Sequence, residues 1–107
     1  MYLLVSLEPD AAPPLLREVS DLRSLKVLVH GDGADLGDAL SSVGYVADDG
    51  DAFLDIAALL ALAGDSAGDP EWRQGFDAMV EYARHKGWVD EAGRALQAHC
   101  ERVPERS

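Results

Sequence analysis

Residues 44–53 read GYVADDGDAF and residues 87–96 read GWVDEAGRAL. The two stretches align without a gap at an offset of 43 residues, from Gly44 to Gly87. Each opens on a glycine placed to end a helix, continues with an aromatic residue and Val, and crosses acidic residues to a second glycine suited to positive φ. Ala and a large apolar residue close both. Turn-forming acids and a glycine between two β-compatible pairs make a hairpin loop. The chain is therefore read as two helix–glycine–hairpin units, for which internal duplication and chance are both open explanations.

Working outward, each unit needs a helix before its first glycine. Asp69-Pro70-Glu71 supplies a strong start signal: an N-cap, Pro at the first helical position and an acid in the first turn. From there Trp72, Phe76, Met79, Val80 and Ala83 recur at helical spacing, so a long helix is expected from Pro70 to Lys86. Its solvent side carries Arg73, Asp77, Glu81 and Arg84. The earlier unit has a weaker helix over Asp35–Val43, with Leu36, Leu40 and Val43 on one stripe and Gly44 as a left-handed cap. Between the units, Ile56–Ala63 is a short Ala- and Leu-rich helix capped by Asp55 and ended by Gly64.

Two further strands are expected at Tyr2–Leu7, which stops at Pro9-Asp10 before Pro13-Pro14, and at Lys26–Val29, which turns at Gly31–Gly33. Leu15–Leu25 reads as a helical turn or two, with Leu15, Leu16, Val19 and Leu22 in step. Two patterns compete at the other end. Ala92, Ala95, Leu96, His99, Cys100 and Val103 fit a helical stripe, whereas the apparent repeat makes Arg94–Cys100 the second strand of a hairpin, which is the preferred reading. The expected fold is a single small α+β domain over residues 1–103, with a frayed tail at 104–107. Its antiparallel sheet has one or two hairpins and packs against two or three helices.

With 107 residues, 48% hydrophobic and 27% charged, the chain has the composition of a soluble globular domain. It has no apolar run near the ~20 residues of a membrane span, and its start lacks a secretory signal. One cysteine, Cys100, cannot form an internal disulfide, and a cytoplasmic location is expected. Twenty acids against nine Lys and Arg give a formal charge of −11. Phosphate backbones are repelled by such a chain, so no nucleic acid and no membrane are expected among its partners.

Residues 64–68, GDSAG, together with VLVHGDG at 27–33, resemble the nucleophile turn and oxyanion loop of α/β-hydrolases similar to hormone-sensitive lipase. That resemblance implies Ser66 as nucleophile. The flanks depart from it: Ile56–Ala63 is a helix pattern rather than a buried strand, and Pro70 times the next helix four residues beyond Ser66. The chain is also too short for the fold's crossover units, so GDSAG is read as an interhelical loop. Asp65-Ser66 resembles the attachment site of acyl carrier proteins, yet Ala67–Pro70 delays the helix that this family starts at the serine. Gly44-Tyr45-Val46, the acidic turn and Phe53 resemble the wing of winged-helix regulators. There the preceding helix offers Asp35, Asp38, Ser41 and Ser42 in place of basic residues, which would imply protein contacts rather than DNA.

No catalytic residues, metal ligands or cofactor are assigned. Adjacent His99 and Cys100 point to opposite faces of a strand and cannot share an ion. His85 reads as a favourable charge near a helix C-terminus. The leading expectation is a non-enzymatic interaction or accessory module that works through a protein partner or self-association as a homodimer. The alternative is a small-ligand binder or small enzyme with a pocket between sheet and helices. Its ligand-binding residues would be His30 or His99 as acid/base and Tyr45 or Trp88 as a wall.

Overall fold

Alternation in two short segments starts the sheet. Tyr2–Ser6 (β1) and Lys26–His30 (β3) each bury every second residue, Leu3 and Val5 in one, Val27 and Val29 in the other. They lie side by side in a computed structural model that describes residues 1–8, 13–31, 33 and 35–102. The expected stop at Pro9-Asp10, Asp32 of the Gly31–Gly33 turn, Val103 and the tail at 104–107 lie outside the described residues. Between β1 and β3, Leu15–Arg17 (β2) returns antiparallel along β1, with Leu3 opposite Leu16. The expected helical turns over Leu15–Leu25 are therefore absent: the segment is a short edge strand followed by turns. β1 offers an unpaired ladder there, and its tertiary demand overrides the local helical spacing.

The remaining elements are helix α1 (Leu36–Leu40), strands β4 (Gly44–Val46) and β5 (Ala52–Asp55), helices α2 (Ile56–Ala63) and α3 (Pro70–Lys86), and strand β6 (Ala95–Arg102). A 3-10 turn over Gly64–Gly68 joins α2 to α3. Among the described residues the sheet has six strands in the order β2-β1-β3-β6-β5-β4.

That sheet is mixed, which corrects the antiparallel expectation. β1–β2, β4–β5 and β5–β6 are antiparallel, but β1–β3 and β3–β6 are parallel. The reason is topological. β2 carries the chain back to the end where β1 began, so the next strand to pair with β1 must run the same way. β6 then joins the two halves: Ala98 pairs with Ala52 of β5, and the following residue, His99, pairs with Lys26 of β3.

Helices α1, α2 and α3 put buried residues into one core with one face of the sheet. Leu40 comes from α1, Leu59 and Ala63 from α2, and Trp72, Phe76, Val80 and Ala83 from α3. Burial of such large side chains contributes about 1.5–3 kcal/mol each. The Asp69 carboxylate accepts from Glu71 N at 3.1 Å, and Pro70 sits where no helical donor is needed. The Trp72 indole donates to the Val19 carbonyl at 2.6 Å, and the amino group of Met1 donates to the Asp21 and Ser24 carbonyls at 3.0 and 3.2 Å. These contacts pin the turns that lead into β3. Among the described residues no helix is long and apolar enough to cross a membrane.

The two units that align in sequence differ in geometry. Both turn glycines, Gly50 and Gly93, have positive φ (92° and 72°), as does the α3 cap Gly87 (78°). Gly44 does not; it opens β4, and a Cβ there would collide with the Phe53 carbonyl oxygen. The expected left-handed cap is replaced by a close backbone approach. The registers differ by one residue: Tyr45 faces Phe53, but Leu96 faces Val89 rather than Trp88.

Candidate functional site

Strand alternation decides what β6 presents. Leu96 and Ala98 are buried against the helices, so Gln97 and His99 point to the opposite face. Asp51, just before β5, lies beside His99 through the Ala52–Ala98 pairing. Its carboxylate accepts a hydrogen bond from Gln97 Nε2 at 2.8 Å, and His99 Nδ1 lies 3.5 Å from its other oxygen.

Trp88 reaches this place through the end of α3. Gly87 takes a left-handed conformation and the Trp88 amide donates to the Ala83 carbonyl at 2.8 Å, which ends the helix and reverses the chain. The Trp88 carbonyl then accepts from Gln97 N at 2.7 Å, which fixes the indole beside β6. Trp88 is 44% exposed, and its ring meets Tyr82 edge-on, with centroids 5.9 Å apart. Tyr82 is 56% exposed and carries Lys86 Nζ 5.5 Å from its ring centroid.

Leu25, Asp51, Trp88, Gln97 and His99 together line an open cleft of about 250 Å³. A smaller hollow of about 90 Å³ lies beside it between α3 and the sheet, and shares Leu25, Trp88 and Gln97. Trp88 is thus a wall common to both. Among the described residues the lining of the larger cleft offers a carboxylate, an amide and an imidazole, but no hydroxyl or thiol to act as a nucleophile.

Of the four ligand-binding residues expected from sequence, Trp88 and His99 meet in this cleft. His30 does not. It ends β3, four residues beyond the Lys26 that pairs with His99, roughly 13 Å along the strand. Tyr45 is on edge strand β4, stacked on Phe53 with centroids 5.3 Å apart, and its hydroxyl donates to Asp90 Oδ2 at 3.1 Å. Desolvation of that hydroxyl, followed by the bond to Asp90, raises the Tyr45 pKa above the ordinary phenol value. Asp90 moves the other way: the Arg94 amide above all, with the Ala95 amide, holds its carboxyl below the usual range, against a smaller desolvation effect.

Sequence reasoning missed Asp51, Gln97, Leu25 and Tyr82. Alternation through residues 95–102 would have placed Gln97 on the face of His99; Asp51 joins them only through the cross-strand register. Ser66 lies in the 3-10 turn between α2 and α3, and among the described residues no imidazole is hydrogen-bonded to its hydroxyl. Cys100 lies on the core side of β6, and burial pushes its thiol pKa up. Among the described residues no group of three or more His, Cys, Asp or Glu converges on a common point. No family model, no curated protein and no solved structure matches this chain.

Proposed function

We propose that the protein is a non-enzymatic interaction module that engages a protein partner through the surface around Trp88. The observation that carries this reading is the pair of exposed aromatic residues at the junction of α3 and the sheet: Trp88, which lines both of two adjacent clefts, and Tyr82, which lines the smaller. Trp and Tyr bring large apolar area at small entropic cost, and they dominate the energetics of protein interfaces. Leu25 and Met79 supply apolar floor beside them. Gln97, Asp51 and His99 form a polar margin, the arrangement of an interface with an apolar centre and a wet rim.

Size argues for this reading over a small-ligand pocket. Such pockets enclose roughly 300–1,000 Å³ and cover most of the ligand. The cleft of about 250 Å³ is smaller and open. It suits one side chain of a larger partner.

A photo-crosslinking amino acid at position 82, compared with one at Asp77 on the solvent side of α3, tests the proposal in the cells that make the protein. The expected result is a discrete protein adduct from position 82, absent from position 77 and lost in Trp88→Ala. Identification of the adduct by mass separates a second copy from another protein. Equal adducts from both positions, or none together with a co-purifying small molecule that Trp88→Ala releases, would overturn the proposal.

A further inference from the structure

The geometry points to a cationic side chain, an arginine guanidinium of the partner, as the group that fills the cleft between Trp88 and Asp51. This rests on the reading of the Trp88 surface as an interface, and it assigns the chemistry of what docks there.

Three features combine. The first is the aromatic wall, because a cation over an indole face is attracted by its quadrupole, and a planar guanidinium also stacks on it. The second is the Asp51 carboxylate in the same cleft, whose side chain is only 29% exposed. Among the described residues its partners are the neutral Gln97 amide and the His99 imidazole, not a Lys or Arg. Each carboxylate oxygen accepts more than one hydrogen bond, so Asp51 can hold these two partners and still receive a forked pair of N–H donors. Gln97 and His99 then orient the acceptor in advance. Lys26, which pairs with His99 across the sheet, has Glu101 3.9 Å from its Nζ.

The third feature is scale. A cleft of about 250 Å³ suits a single extended side chain. A formal charge of −11 draws cations toward the whole surface, and the Trp88–Asp51 cleft adds the local geometry that a diffuse field lacks. Arginine is favoured over lysine because a compact, strongly hydrated ammonium neither forks onto a carboxylate nor stacks flat on an indole.

The protein contains two tryptophans, so indole N–H resonances make a self-controlled assay. Trp72 is buried and bonded to Val19, whereas Trp88 lines the cleft. Titration of the ¹⁵N-labelled protein with the peptide N-acetyl-Gly-Arg-Gly-amide, in mildly alkaline low-salt buffer, should shift the Trp88 indole peak saturably and leave Trp72 in place. The same peptide with citrulline, which keeps the shape and lacks the charge, should leave both peaks in place. Asp51→Asn should weaken arginine binding about tenfold or more, the effect of losing a charge-assisted hydrogen bond. An immobile Trp88 peak, or an equal response to citrulline, would overturn the inference whether or not Asp51→Asn folds. Those results leave the crosslinking outcome untouched, so failure of the cation is distinguishable from failure of the interface.

Discussion

The Tyr45 hydroxyl donates to Asp90 Oδ2 at 3.1 Å, across 45 residues of sequence, and so ties the hairpin of β4 and β5 to the turn that follows α3. The other oxygen of the same carboxylate accepts from the amides of Arg94 and Ala95 at 2.9 and 3.2 Å. Asp90 therefore organises the turn that sends the chain from Trp88 into β6. Its cleft residues depend on that turn.

The depressed pKa of Asp90 has a definite sign in stability. The folded protein binds this proton less readily than the unfolded chain does, so the stabilisation is whole above the ordinary carboxylate range and is lost as pH falls through the folded value. Asp90→Asn keeps an acceptor and removes the titration. Urea denaturation from neutral pH to pH ~3 should show a smaller acid loss for Asp90→Asn than for the wild type. Tyr45→Phe should cost about 0.5–1.5 kcal/mol at neutral pH, with exposure favouring the lower end.

Two glycines that look equivalent in sequence should respond to alanine for different reasons. At Gly44 a Cβ meets the backbone carbonyl of Phe53, which cannot move without opening the β4–β5 pair, so Gly44→Ala should cost roughly 1–3 kcal/mol or more. At Gly87 a Cβ would meet nothing within 4 Å, and only the left-handed backbone opposes it. Gly87→Ala should therefore cost about 1–2 kcal/mol. Thermal denaturation of the two variants measures the ranking.

Phe76 is 1% exposed and stacks on Trp72 with ring centroids 5.1 Å apart. Truncation leaves a cavity between α3 and the sheet as well as losing transfer free energy. Phe76→Ala should lower stability by about 3–5 kcal/mol. Arg73→Ala, which removes only an exposed ion pair with Asp77 at 3.1 Å, should change it by less than about 1 kcal/mol. Chemical denaturation of both variants checks the contrast.

Ser66 sits between two helices, where no strand delivers it and no imidazole bonds to it among the described residues. An unactivated hydroxyl does not react with a fluorophosphonate. Treatment with such a probe should leave the mass of the protein unchanged, and labelling that disappears in Ser66→Ala would contradict the reading of GDSAG as a connection.

Local signals in this chain were strong wherever one element's own chemistry was enough. Asp69-Pro70 starts α3 because an N-cap and a proline stabilise a helix start in any context, and the Trp72–Phe76–Val80 stripe is buried because a helix with one apolar face must cover it. Asp55 and Gly64 likewise bound α2. Turn glycines 50 and 93 have the positive φ that their acidic loops lead one to expect.

Pairing was not local. Nothing in Lys26–His30 announces that its neighbours are a strand at the N-terminus and another some seventy residues on, both parallel to it. Strand direction follows from how β2, α2 and α3 route the chain, and burial patterns read the same in parallel and antiparallel ladders. The candidate site was legible only in pieces. Trp88 and His99 stood out as residue types, but Asp51 and Gln97 join them through the β5–β6 register, whereas His30, an equally plausible histidine, is carried to the other end of β3. Composition and periodicity determine what each segment of this protein buries. Only the closure of β6 against both β3 and β5 decides which exposed side chains become neighbours, because cross-strand contact depends on register between distant segments and that is settled by packing of the whole core.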